Sequence, residues 1–144
     1  MSCSEGCSTD AMAGRDAPGR VRVLLVDDDV RFADLVSQTL DDARYEVVEV
    51  VHDGAEVAAA VEALHPDVVV LDLVMQGGNG IDVAIDLRER GSSVPVLLFS
   101  SLFDQVEAAE SMAHGFGFVE KAAGVDALES AIDAVIDLRD PPRR

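Results

Sequence analysis

Basic residues are scarce: eleven Lys and Arg stand against twenty-eight Asp and Glu, a formal net charge of −17 over 144 residues. Such a field repels phosphate backbones and anionic lipid headgroups, so neither direct nucleic-acid binding nor membrane association is expected. No apolar run reaches the ~18 residues that span a bilayer, and residues 1–20 lack the apolar stretch of about 7–15 residues found in signal peptides. A cytoplasmic protein is expected. Cysteine is almost absent: Cys3 and Cys7 lie among Ser, Gly and Ala, where nothing apolar fixes their geometry, and they read as incidental thiols. Aromatic residues make up only 4% of the chain, whereas 49% is hydrophobic, mostly Val, Leu and Ala. A Val-rich core with few rings suits a parallel sheet covered by helices.

What is present fits one domain, long enough to bury a core without disulfides or structural metal. Residues 1–19 show no periodicity and close on Pro18-Gly19, which reads as a disordered leader. The folded domain is expected over residues 20–139, with a short tail at 140–144. Five strands are predicted at Val21 to Val26, Glu46 to Val51, Asp67 to Leu71, Pro95 to Ser100 and Phe116 to Glu120. The runs VRVLLV, DVVVLD and PVLLFS are nearly continuous in apolar residues, as in parallel strands buried on both faces.

Helical spacing falls between them: Phe32, Leu35, Val36, Thr39 and Leu40; Val57, Ala60, Val61 and Leu64; Ile81, Ala84, Ile85 and Leu87 or Arg88; Val106, Ala109 and Met112; Leu128, Ala131, Ile132 and Val135. Asp53-Gly54, Pro66 and the stretch from Gly91 to Pro95 punctuate the changes of element. The order is (βα) repeated five times. Such units wind into a doubly wound α/β sheet whose ligands bind at the carboxyl ends of the strands.

Those strand ends are polar. The first runs into Asp27-Asp28-Asp29, the third into Asp72, the fourth into Ser100-Ser101 and the fifth into Glu120-Lys121. Clustered carboxylates repel one another, so three acids from two strands either favour holding a proton or call for a cation, and for a cation a hard, oxygen-rich site favours Mg²⁺ (or Mn²⁺). Taken singly, Asp27 to Asp29 would equally suit the start of the next helix, and Asp72 an ordinary turn. Lys121 is more informative, because it is the chain's only lysine, and a compact ammonium pairs readily with carboxylate or phosphoryl oxygens.

With VLLVDDD (23–29), VVVLDLVM (68–75), PVLLFSS (95–101) and GFVEK (117–121) in this order, residues 21–138 resemble the receiver domain of two-component response regulators. The resemblance implies the flavodoxin-like fold with strand order 2-1-3-4-5. It makes Asp72 the phosphoacceptor, and Asp27, Asp28, Asp72 and the backbone carbonyl of Val74 the metal site. Lys121 becomes the lysine that pairs with the acceptor and then with the phosphoryl group, and Ser100 and Phe118 the switch pair. Asp29 is then a helix-start residue. Gln76, Asn79 and Ala122 depart from the usual pattern, at positions where the family commonly has proline, an acid and proline, but none supplies a reacting atom. Ala122 in place of proline leaves no incentive for a cis bond after Lys121, and this ending is similar to receivers that precede helix-turn-helix output domains.

The resemblance implies phosphoryl transfer from a sensor histidine kinase or phosphotransfer protein, and signalling through a downstream protein partner rather than turnover catalysis. Val74 and Leu102, apolar where they flank the acceptor, are expected to slow hydrolysis. From Gly91 to Leu138 Lys121 is the only basic residue, which argues against a symmetric dimer built on alternating ion pairs there. A monomer, or a weak phosphorylation-dependent dimer, is expected. The sequence, which stops before a DNA-binding module could form, favours a stand-alone receiver, although residues 139–144 could begin a linker. Two rivals are a non-phosphorylated receiver-like adaptor and an aspartyl phosphatase. The phosphatase needs a second acid two residues after the nucleophile, and Val74 stands there. His52, His65 and His114 share no spacing that suggests chemistry.

Overall fold

A computed structural model describes residues 20–75, 78–100 and 115–139. Five strands form one sheet: β1 (Val21–Val26), β2 (Tyr45–Val51), β3 (Val68–Leu71), β4 (Val96–Ser100) and β5 (Gly117–Glu120). All pairings are parallel, and the order is β2-β1-β3-β4-β5, the 2-1-3-4-5 arrangement expected from the sequence. The helices are α1 (Val30–Thr39), α2 (Val57–Leu64), α3 (Gly80–Glu89) and a C-terminal helix (Val125–Arg139). The helix expected around Val106 to Met112 falls outside the described residues.

Alternation along the strands divides the core in two. Leu24, Val26, Val69, Leu71, Val96 and Leu98 point to the face covered by α2 and α3, through Val57, Val61, Ile81, Ala84 and Leu87. Val23, Leu25, Val68, Val70, Leu97 and Phe99 point to the other, covered by Ala33 and Val36 of α1 and by Leu128, Ile132 and Val135 of the C-terminal helix. Neighbouring residues in one strand thus serve opposite cores, which is why these runs carry no polar alternation.

The sequence periodicity errs on α1. Leu35, expected on its apolar face, is 58% exposed, and Ala33 takes the inward position with Val36 and Leu40. An i, i+3, i+7 line through Ala33 points at the sheet, and Leu35 lies off it. Strand starts also move by one residue. Asp67 does not open β3, because its carboxylate accepts from the Arg22 amide at 2.9 Å while its own amide donates to the Arg22 carbonyl. Pro95 has no amide to give to the ladder and contributes only its carbonyl, to Val69. Between β3 and α3 lies a two-residue antiparallel hairpin, Val74–Met75 with Gly78–Asn79, which the sequence did not suggest.

Candidate functional site

The parallel ladders carry four polar residues to one edge. The Asp27 amide donates to Val51 of β2 and the Asp72 amide to Val26 of β1, so both acids are held where their strands leave the sheet. Ser100 ends β4 and is only 1% exposed; its register partner is Glu120, the residue before Lys121. Among the described residues, Asp27 and Asp72 are the other buried polar side chains, at 2% and 8% exposure, whereas Asp28 is exposed. One ligand atom from each of Asp27, Asp28 and Asp72 can be chosen so that all three lie within 4.8 Å of one another. Three carboxylate oxygens that close can gather around a single hard cation with a small inward adjustment.

Lys121 completes the cluster. Its Nζ donates to Asp27 Oδ2 at 2.7 Å and lies 3.6 Å from Asp72 Oδ2, with the side chain 12% exposed. The ammonium therefore spans the two acids that two different strands deliver. It leaves the sheet through a 3₁₀ turn, Lys121–Ala123, and no cis peptide bond occurs among the described residues.

Local backbone chemistry fixes the acids. Asp27 Oδ1 accepts from the Asp29 amide at 2.9 Å, and Asp29 Oδ1 in turn accepts from the Phe32 amide at 3.2 Å as the N-cap of α1. The acidic run thus splits between a site residue and a capping residue, in keeping with the sequence reading of Asp29. Asn79, one of the departures from the family pattern, caps α3 by accepting from the Ile81 amide at 2.7 Å. Gly80 then passes so close to the acceptor segment that an added Cβ would collide with the Asp72 carbonyl and sit 3.0 Å from Leu73 Cα.

Phe118, opposite Leu98 in the β4–β5 ladder, is partly buried against the core under α2 and α3. Val74 lies in the hairpin beside Asp72, paired with Asn79. Leu102, Cys3, Cys7 and His114 fall outside the described residues. Two contacts escaped the sequence reading. His52 places Nδ1 2.8 Å from the Asp27 carbonyl, and the Phe32 ring centroid lies 4.3 Å from Lys121 Nζ. No spacing rule couples residues so far apart in sequence, although Phe32, set three residues after Asp29, was visibly near the site.

Among the described residues, no helix is long and apolar enough to cross a membrane. A family model described as the response regulator receiver domain matches residues 23–133. The DNA-binding response regulator MtrA of Mycobacterium tuberculosis is 36% identical over 96 residues, covering 67% of this chain and 41% of that protein. A protein-glutamate methylesterase/protein-glutamine glutaminase of Nocardioides is 35% identical over 122 residues, covering 82% of this chain and 33% of that protein. The chain therefore spans less than half of these curated relatives. Among solved structures, the signal receiver domain of the putative response regulator NarL from Mycobacterium tuberculosis has a TM-score of 0.73 at 30% identity, covering 87% of this chain and 100% of that one. A two-component response regulator of the LuxR family from Aurantimonas has a TM-score of 0.77 at 26% identity, covering 83% and 87%.

Proposed function

This chain belongs to the response regulator receiver family, and from that premise we propose that Asp72 accepts a phosphoryl group from the phosphohistidine of a sensor kinase or phosphotransfer protein. The observation that carries the reading is Lys121 Nζ held between Asp27 and Asp72, beside three acid oxygens that fit one divalent ion. A carboxylate oxygen of Asp72 attacks phosphorus, an O–P bond forms, and the donor's N–P bond breaks with its electron pair remaining on the imidazole. This chemistry needs alignment and charge stabilisation more than proton transfer.

Asp27, Asp28, Asp72 and the Val74 carbonyl would hold Mg²⁺ or Mn²⁺, which when bound neutralises charge on the phosphoryl oxygens. Lys121 supplies a fixed positive charge to the same oxygens, and Ser100 a hydroxyl donor. Ser100 then moves toward the phosphoryl group and Phe118 turns into the space released, biasing a protein-binding face between two states. The product is a signal rather than a released substrate, and the domain is not a turnover enzyme.

The experiment is incubation with acetyl phosphate and Mg²⁺, read by intact mass. The parent protein should gain one phosphoryl group and the Asp72→Asn variant none. A parent that gains none under conditions that load another receiver would favour a non-phosphorylated adaptor. On the family pattern, Val74 and Leu102 hinder the attacking water, so Leu102→Asn should lose phosphate faster than the parent. Equal lifetimes would remove that part of the reading.

A further inference from the structure

We propose that Phe32 is a positioning residue for Lys121, its ring face seating the ammonium so that one cation spans Asp27 and Asp72. The inference rests on the reading of Asp72 as phosphoacceptor and names a part of the site that the receiver motifs do not include.

A lysine head on a flexible four-carbon stem has no preferred direction of its own. Drawn only by carboxylates, it remains free to slide along them or swing toward solvent. Here Nζ lies 2.7 Å from Asp27 Oδ2, 3.6 Å from Asp72 Oδ2 and 4.3 Å from the Phe32 ring centroid. The ring closes a third side. With the lysine side chain only 12% exposed, little water competes, and the attraction between ammonium and ring falls toward the upper part of its usual range.

The ring is itself held. The Phe32 amide donates to Asp29 Oδ1, and the Asp29 amide donates to Asp27 Oδ1, the carboxylate whose other oxygen accepts from Lys121. The ring also packs on Phe99 with centroids 5.8 Å apart, and Phe99 is buried one residue before Ser100. Asp27, Asp29, Phe32 and Lys121 therefore form a closed circuit anchored on β4. The ring attracts the ammonium as a whole rather than any one N–H. The head can thus turn a proton from Asp27 toward a phosphoryl oxygen on Asp72 without leaving its seat. An aliphatic residue at position 32 would fill the same space and offer no such attraction.

Because Lys121 is the only lysine, ¹³C-lysine labelling gives a single ε-methylene signal, and a ring stacked on the head shifts its protons upfield. The test follows this signal together with the rate of phosphoryl uptake from acetyl phosphate and the affinity for Mg²⁺. Phe32→Leu should abolish the shift and slow uptake roughly tenfold, with Mg²⁺ affinity changed less than about twofold. Phe32→Tyr should retain both shift and rate. Pentafluorophenylalanine at position 32 keeps the shape and reverses the ring's charge distribution, so it should slow uptake as Phe32→Leu does even if the leucine variant folds poorly. Parental uptake in the leucine and pentafluoro variants, or an unshifted ε-methylene in the phosphorylatable parent, would overturn the role of Phe32 alone. A parent indistinguishable from Asp72→Asn would instead overturn the phosphoacceptor reading and the function of Phe32 with it.

Discussion

Asp27 is 2% exposed and meets a cation only through Lys121 among its described side-chain partners, so that lysine has a structural duty beside its chemical one. Removing one partner of a buried ion pair strands the other, typically at a cost of about 3–5 kcal/mol. Lys121→Met should therefore lower the urea midpoint, and Mg²⁺ should restore part of the loss by taking over the neutralisation. A midpoint unchanged by the substitution would mean that Asp27 is stabilised otherwise. Asp27, Asp28, Asp72 and Lys121 were legible in the sequence because charged groups directly after buried apolar strands are costly and hence informative. Phe32 was legible only as an apolar helix residue. Periodicity reports which face a side chain takes, and says nothing of the lysine waiting there.

Between residues and sheet, element ends do the positioning. Arg22 of β1 donates to the carbonyls of Leu64 and His65 at 2.6 and 2.9 Å, placing a cation on the open C-terminus of α2, where His65 adopts a left-handed conformation with φ of 50°. At the other edge, Gly80 begins α3 against the backbone of Asp72 and Leu73. Alanine would favour the helix by about 1 kcal/mol over glycine, but a collision with rigid backbone costs about 1–3 kcal/mol, so the clash wins. Gly80→Ala should lower stability and slow phosphoryl uptake, read from urea unfolding and intact mass. A more stable variant with parental uptake would show that the loop yields freely. The element order was legible because buried parallel strands write continuous apolar runs. The hairpin after Asp72 was not, since two-residue pairing leaves no period, and the exposed Leu35 shows how a residue at the edge of a correctly placed apolar stripe can still fall outside the core.

The molecule as a whole carries a formal charge of −17, and self-repulsion of that size weakens the compact state. Raising monovalent salt should raise the thermal midpoint. Mg²⁺ at matched ionic strength should raise it further in the parent but not in Asp28→Asn; equal gains in both would reduce the ion's effect to screening. The C-terminal helix is tied to the start of β2 by Tyr45, whose hydroxyl donates to Asp133 at 2.9 Å, and by Arg44, 2.8 Å from the same carboxylate. Burial, reinforced by Asp133, raises the Tyr45 phenol above its ordinary value of 10.0. Because the folded state favours the protonated phenol, this contribution is complete below pH 10 and is lost as pH climbs beyond it. Stability should fall in that alkaline window and fall less steeply in Tyr45→Phe, as followed by urea unfolding at graded pH. All of this chemistry turns on which carboxylate accepts the phosphoryl group. Borohydride reduction after treatment with acetyl phosphate and Mg²⁺ converts an aspartyl phosphate to homoserine, and peptide sequencing finds the position. Homoserine is expected at position 72 alone; homoserine elsewhere, or none in a phosphorylated chain, would show that Asp72 is not the acceptor.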